Sequence, residues 1–88
     1  MKLNEGFGLR DICGEKVLVA EGLENIDYSK IINLNETAAY LWQNLLGKDF
    51  EVEDMVDLIL QEYDVNASVA FEDCTELLKQ WMKVGMIK

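Results

Sequence analysis

Few side chains in this sequence are of a type that does chemistry. It holds two cysteines, Cys13 and Cys74, no histidine, and paired acids at helical spacing such as Asp54 and Asp57. A thiol becomes a nucleophile beside a base or a cation, and no histidine is present to activate either cysteine. Two thiols also fall short of the ligand set that closes a structural zinc site. In a reducing compartment both read as small hydrophobes rather than as a disulfide. Asp54 and Asp57 fall on a helix face turned to water, not in the enclosed site that general-acid work needs. With Glu53 and Glu62 they form a solvated acidic face, without the alternating oxygen ligands of a calcium loop. No glycine-rich phosphate loop occurs. The expectation is a protein that binds and does not catalyse, with no catalytic residue, no metal and no cofactor.

The elements that must carry a binding surface follow from periodicity. Strands are predicted over about residues 6–13, 15–21 and 29–34 and helices over about 35–46, 52–63 and 68–84, in a single domain covering 1–88. Phe7 and Leu9 share one side of the first strand, while Val17, Val19, Leu18 and Ala20 supply both faces of the second. Cys13-Gly14 sits at the bend of this hairpin, where glycine admits positive φ. Residues 22–28 read as a loop, with Leu23 and Ile26 tucked against the core. In the third strand Ile31 and Ile32 are adjacent and point to opposite faces, so one lies where solvent is expected.

Asn35 is placed to cap the first helix, Glu36 suits its dipole, and Ala38, Leu41, Trp42 and Leu45 form its buried stripe before Gly47 ends it. The second helix shows a stripe of Val52, Met55, Val56, Ile59, Leu60 and Tyr63. Asn66 or Ser68 caps the third. That helix carries two apolar stripes, Ala70, Cys74, Leu77, Trp81 and Val84 in one and Phe71, Leu78 and Met82 in the other, with Thr75 between. It stops at Gly85 and leaves residues 86–88 as a short tail. One stripe suffices to cover a sheet, so the second is either further core or an exposed surface.

Half the residues are apolar and the formal net charge is -9. A chain this short removes only about 60 to 65% of its unfolded surface from water, so stability is modest. No apolar run approaches the roughly 18 residues that span a bilayer, and the start lacks the apolar core of a signal peptide. A cytoplasmic protein with no membrane partner is expected. Three strands beside three helices also suit a winged helix-turn-helix, whose usual ligand is DNA. The acidic balance opposes phosphate contacts, with Lys48, Lys79 and Lys83 the main cations of the helical half. A winged-helix nucleic-acid binder and a structural dimerisation subunit remain the alternative readings.

Leu34-Asn35 followed by Thr37, Ala38, Ala39, Trp42, Leu45 and Gly47 resembles the PqqD family of pyrroloquinoline quinone biosynthesis. Val52 to Met55, Tyr63 to Val65, and Asp73, Leu77, Leu78, Trp81 and Gly85-Met86-Ile87 extend the likeness over nearly the whole chain. Cys74 departs from it where an aliphatic residue is common, and Leu77 and Trp81 exchange aromatic and aliphatic positions. The resemblance implies an α+β, winged helix-turn-helix-like fold, three antiparallel strands followed by three helices, also called a RiPP recognition element. It implies a non-catalytic peptide chaperone of natural product biosynthesis. Such modules bind the leader segment of a ribosomally made precursor peptide and present it to a modifying enzyme, often a radical SAM protein. The protein itself is expected to be a monomer or weak dimer.

Together with the two-striped helix, the resemblance implies a site. A leader strand would pair with the exposed edge of the third strand at Lys30, Ile31, Ile32, Asn33 and Leu34. Its side chains would enter a groove shared with the third helix, floored by Phe71, Leu78 and Met82 beside Cys74 and Thr75. Met82 suits an adaptable groove, and Lys30 and Lys79 would meet acidic leader residues. A charge placed at Leu78 is expected to weaken binding and to leave the fold intact.

Overall fold

The computed structural model of the chain describes residues 1–20 and 31–87. Strand β1 (Phe7–Ile12) and strand β2 (Glu15–Ala20) form an antiparallel hairpin with Ile12 opposite Glu15. Cys13 and Gly14 make its two-residue turn, and both have positive φ, 54° and 82°. Two such residues in succession are the signature of a type I′ turn, whose twist matches that of the strands it joins. A cysteine therefore stands in the left-handed region, where a Cβ is strained. Across the hairpin, Lys16 Nζ meets Asp11 Oδ2 at 3.1 Å, a cross-strand ion pair.

Strand β3 (Ile32–Leu34) joins the other side of β2, with Lys16 opposite Leu34 and Leu18 opposite Ile32. The sheet order is β1-β2-β3, so β3 lies at an edge. Ile32 packs on the core and Ile31 is exposed, as the adjacent pair requires. Val17 is buried yet stands outside the main core, on the opposite face from Leu18, so both faces of β2 are apolar there. The start expected for the third strand, from about 29, lies in part outside the described residues, as do the loop assigned to 22–28 and Lys30.

Helix α1 (Glu36–Leu45) begins where Asn35 Oδ1 accepts the Ala38 N–H at 2.8 Å. Helix α2 (Val52–Glu62) begins where Asp54 Oδ2 accepts the Glu51 N–H at 2.8 Å, which commits that carboxylate to holding a helix start. Helix α3 (Ala67–Lys83) is capped by Asn66, whose Oδ1 accepts the Ser68 N–H at 2.9 Å. In α2 the expected stripe is corrected at one position. Leu60 is 40% exposed, and Leu58, two residues earlier, packs against the core instead.

The core joins all these elements: Leu18 and Leu34 from the sheet, Leu41, Trp42 and Leu45 from α1, Met55 and Ile59 from α2, and Ala70, Cys74, Leu78 and Trp81 from α3. Trp42 and Trp81 meet edge to face with centroids 6.2 Å apart. The Trp42 indole N–H is buried and has no acceptor among the described residues. That omission costs about 1–3 kcal/mol, offset by the large apolar area the ring removes from water. Tyr40 and Tyr63 meet in the same geometry, and the Tyr40 hydroxyl donates to the Leu58 carbonyl at 2.9 Å.

The ends of the chain hold more structure than periodicity showed. Residues 86–88 were expected to be a loose tail, but Met86 is fully buried and Ile87 bridges to Leu3. The Asn4 N–H donates to the Met86 carbonyl at 2.7 Å and its side-chain amide to the Gly85 carbonyl at 3.1 Å. Gly85, with φ +85°, turns the chain back so that this pairing forms. The Met1 amine lies 2.9 Å from Asp49 Oδ1 and donates to the Phe50 carbonyl at 2.8 Å. The Asp49 contact raises the amine pKa and lowers that of the carboxyl.

Candidate functional site

Two features of the fold invite a ligand. The first is the outer edge of β3: among the described residues no strand pairs with it. An unpaired edge presents backbone N–H and C=O groups ready to take another strand. The second is the pair of apolar flanks on α3. Successive helical residues are turned by about 100°, so Ala70, Cys74, Trp81 and Leu78 face inward, Asp73 and Leu77 lie on one flank, and Phe71, Thr75, Lys79 and Met82 lie on the other.

Each flank lines its own crevice. The Asp73–Leu77 flank closes a cavity of about 180 Å³ with Thr37 and Leu41 of α1, Ile59 of α2, and Tyr63 and Val65 just beyond α2. Thr37 belongs to the first turn of α1, the turn that β3 runs into, so this crevice, here called the β3-side crevice, takes in the end of α1 nearest that strand, with no β3 residue in its lining. The opposite flank lines a more open groove of about 310 Å³, whose other walls are Met1, Glu51 and Val52. Phe71 and Met82 are 47% and 54% exposed there. A third hollow, at the hairpin turn, takes in Gly14, Lys16, Asn33 and Leu34.

The residues expected in one groove are thus distributed. Ile32, Asn33 and Leu34 form the edge strand and Ile31 precedes it, exposed. Lys30 lies outside the described residues. Phe71, Thr75, Leu78, Lys79 and Met82 do come together, but with the N-terminus and the start of α2, not with β3. The second stripe is split as well: Leu78 is 6% exposed and belongs to the core, which corrects the expectation that a charge there leaves the fold intact. Val84, assigned to the first stripe, is exposed. The Thr75 hydroxyl donates to the Phe71 carbonyl at 2.8 Å, within the helix. Cys74 is buried at the floor of the β3-side crevice. Burial, and after it the neighbouring Asp73 charge, pushes its thiol pKa up, so the sulfur stays protonated and inert.

Sequence reasoning missed Asp73, Thr37 and Tyr63 as crevice walls and placed Leu77 in the core stripe. The signal available was angular: Leu77 is three residues beyond Cys74, at the margin of the inward arc. Met1 and Val52 gave no such signal, because the contacts that bring them to α3 are long-range. Among the described residues no group of three or more histidine, cysteine, aspartate or glutamate side chains could hold a metal ion. No helix among them is long and apolar enough to cross a membrane.

A three-stranded antiparallel sheet followed by three helices, its edge strand β3 leading directly into the first of them, defines an α+β module of winged-helix type. The family model described as coenzyme PQQ synthesis protein D (PqqD) matches residues 15–87, and the chain belongs to that family. Among solved structures it is similar to the chain described as TbiB1 in complex with the TbiA(beta) leader peptide, with a TM-score of 0.74. The two share 20% sequence identity, and the likeness covers 100% of this chain and 95% of that one. At that identity the likeness concerns the fold. No curated protein matches the chain.

Proposed function

We propose that the protein captures the leader segment of a ribosomally made precursor peptide and presents it to a modifying enzyme, a radical SAM protein or another peptide-modifying catalyst. The leader adds as a fourth strand to the outer edge of β3, at residues 31–34. The observation that carries this reading is that edge, unpaired among the described residues, together with an apolar crevice lined in part by Thr37 and Leu41 of the helix into which β3 leads. Family membership and the leader peptide bound to the similar TbiB1 chain support it. Main-chain hydrogen bonds give register and alternate side chains enter the crevice, where Leu41, Leu77 and the Cys74 floor receive them.

The role is binding without catalysis. The thiol of Cys74 is protonated and buried, and the Asp54 carboxylate holds the start of α2. Such a module works in the cytoplasm, where its ribosomal partner is made. The groove of Phe71, Thr75, Lys79 and Met82 is a separate surface on this reading.

Titration of the isotope-labelled protein with synthetic leader peptides tests the assignment. The expected result is amide shifts at residues 31–34, Asp73 and Leu77. Shifts confined to Phe71, Thr75 and Met82 would move the site to the other flank, and shifts confined to α2 would reject both. N-methylation of the peptide at successive positions sharpens the test. Losses of about 5- to 10-fold should recur at every second residue, because alternate N–H groups of an added strand face its neighbour.

A further inference from the structure

The β3-side crevice has a chemical polarity that its neighbour lacks. Of the described side chains that line it, Asp73 alone is charged, and no described lysine or arginine is among them. Asp73 is exposed and forms no ion pair with any described residue. The α3 cation Lys79 lines the opposite groove, about a third of a turn around the helix from Asp73. The volume, about 180 Å³, slightly exceeds the roughly 150 Å³ of an apolar cavity that admits benzene, so it suits one side chain between leucine and phenylalanine in size. In an added strand the residues that share a face stand two apart, at about 6.6 Å, within reach of a long side chain from the filled cavity to its rim.

We infer that this crevice selects leader segments in which a lysine or arginine stands two residues from the apolar side chain that fills it. The inference rests on the leader-binding reading and specifies its substrate. It reverses the expectation of an acidic leader, which relied on Lys30 and Lys79. The cation would sit at a wet rim opposite Asp73, on a protein whose net charge of -9 already favours basic guests. A rim pair of this kind sets choice among peptides more than total affinity.

A phage-displayed library of random linear peptides, selected on the intact chain and in parallel on Asp73→Lys, reads the preference directly. The expected enrichment on the native chain is a large apolar residue with Lys or Arg two positions away, and on D73K the same anchor with Asp or Glu there. A synthetic pair taken from the selected sequence, differing only in Lys or Glu at that position, should favour Lys by about 3- to 10-fold at about 50 mM salt and by less than about 2-fold at about 500 mM. Asp73→Asn should remove the preference and leave the melting curve unchanged. Equal affinity for the two peptides, while both shift the amides of residues 31–34, overturns the charge selection and leaves the leader-binding reading standing. Selection of no peptide, or of peptides that leave those amides unmoved, overturns both.

Discussion

The two flanks of α3 are built from neighbours in sequence and end in different states. Leu77 and Leu78 are adjacent, yet Leu77 lines the wall of the β3-side crevice and Leu78 is held in the core beneath the opposite groove. On one side the helix shares a crevice with α1 and the end of α2. On the other it meets the N-terminus and leaves Phe71 and Met82 about half exposed. A helix with a wide apolar arc therefore does not carry one broad groove. It carries a core stripe with a separate opening on either side, and only one opening includes the first turn of α1, into which the edge strand β3 runs.

The sharpest way to break this contrast is a charge at each of the adjacent leucines. Leu78→Asp should unfold the protein or cost more than about 3 kcal/mol in a urea melt, because an unpaired carboxylate replaces a core side chain. A native-like midpoint for that variant would place Leu78 outside the core. Leu77→Asp, half-buried at a crevice wall, should keep the fold and weaken leader-peptide binding by about 10- to 100-fold in fluorescence anisotropy. Phe71→Asp should change the same affinity by less than about 3-fold. The reverse ranking would transfer the site to the Phe71–Met82 groove.

Smaller effects compare the two cysteines. Burial raises the Cys74 thiol pKa above its ordinary value of 9.0. An acid whose folded pKa is raised keeps its contribution below the unfolded pKa and loses it as pH climbs through the folded one. Stability should therefore fall as pH rises above about 9, and Cys74→Ala should flatten that decline relative to the native chain. At pH 8 a thiol reagent should label exposed Cys13 at once and Cys74 only on unfolding. Equal labelling rates would contradict the burial. Least of all in size, Cys13→Asn should raise the unfolding free energy by up to about 1 kcal/mol, since asparagine tolerates the left-handed turn position better than cysteine.

What could be read in advance was local. Asn35 and Asn66 declare helix starts through bonds to backbone groups two and three residues away, and Cys13-Gly14 declares a tight turn, so those boundaries fall within a residue or two of expectation. The stripe of α1 is regular enough to identify Trp42 as core. The errors share a different cause. Leu58 and Leu60 both sit at the margin of the α2 stripe, and packing decides between them. Met86 looked like tail because its hydrogen-bond partner, Asn4, is at the other end of the chain. The division of the α3 surface into two crevices follows from which elements flank the helix, a matter of tertiary arrangement that helical period cannot encode.

β3 is only three residues long. A guest strand gains few main-chain bonds from so brief an edge, each contributing on the order of 1 kcal/mol, and the remainder of its hold must come from what it inserts alongside. Such an attachment is discriminating without being durable. Residence times near the millisecond end of the usual range would follow, and a carrier that lets go quickly does not slow the catalyst it supplies.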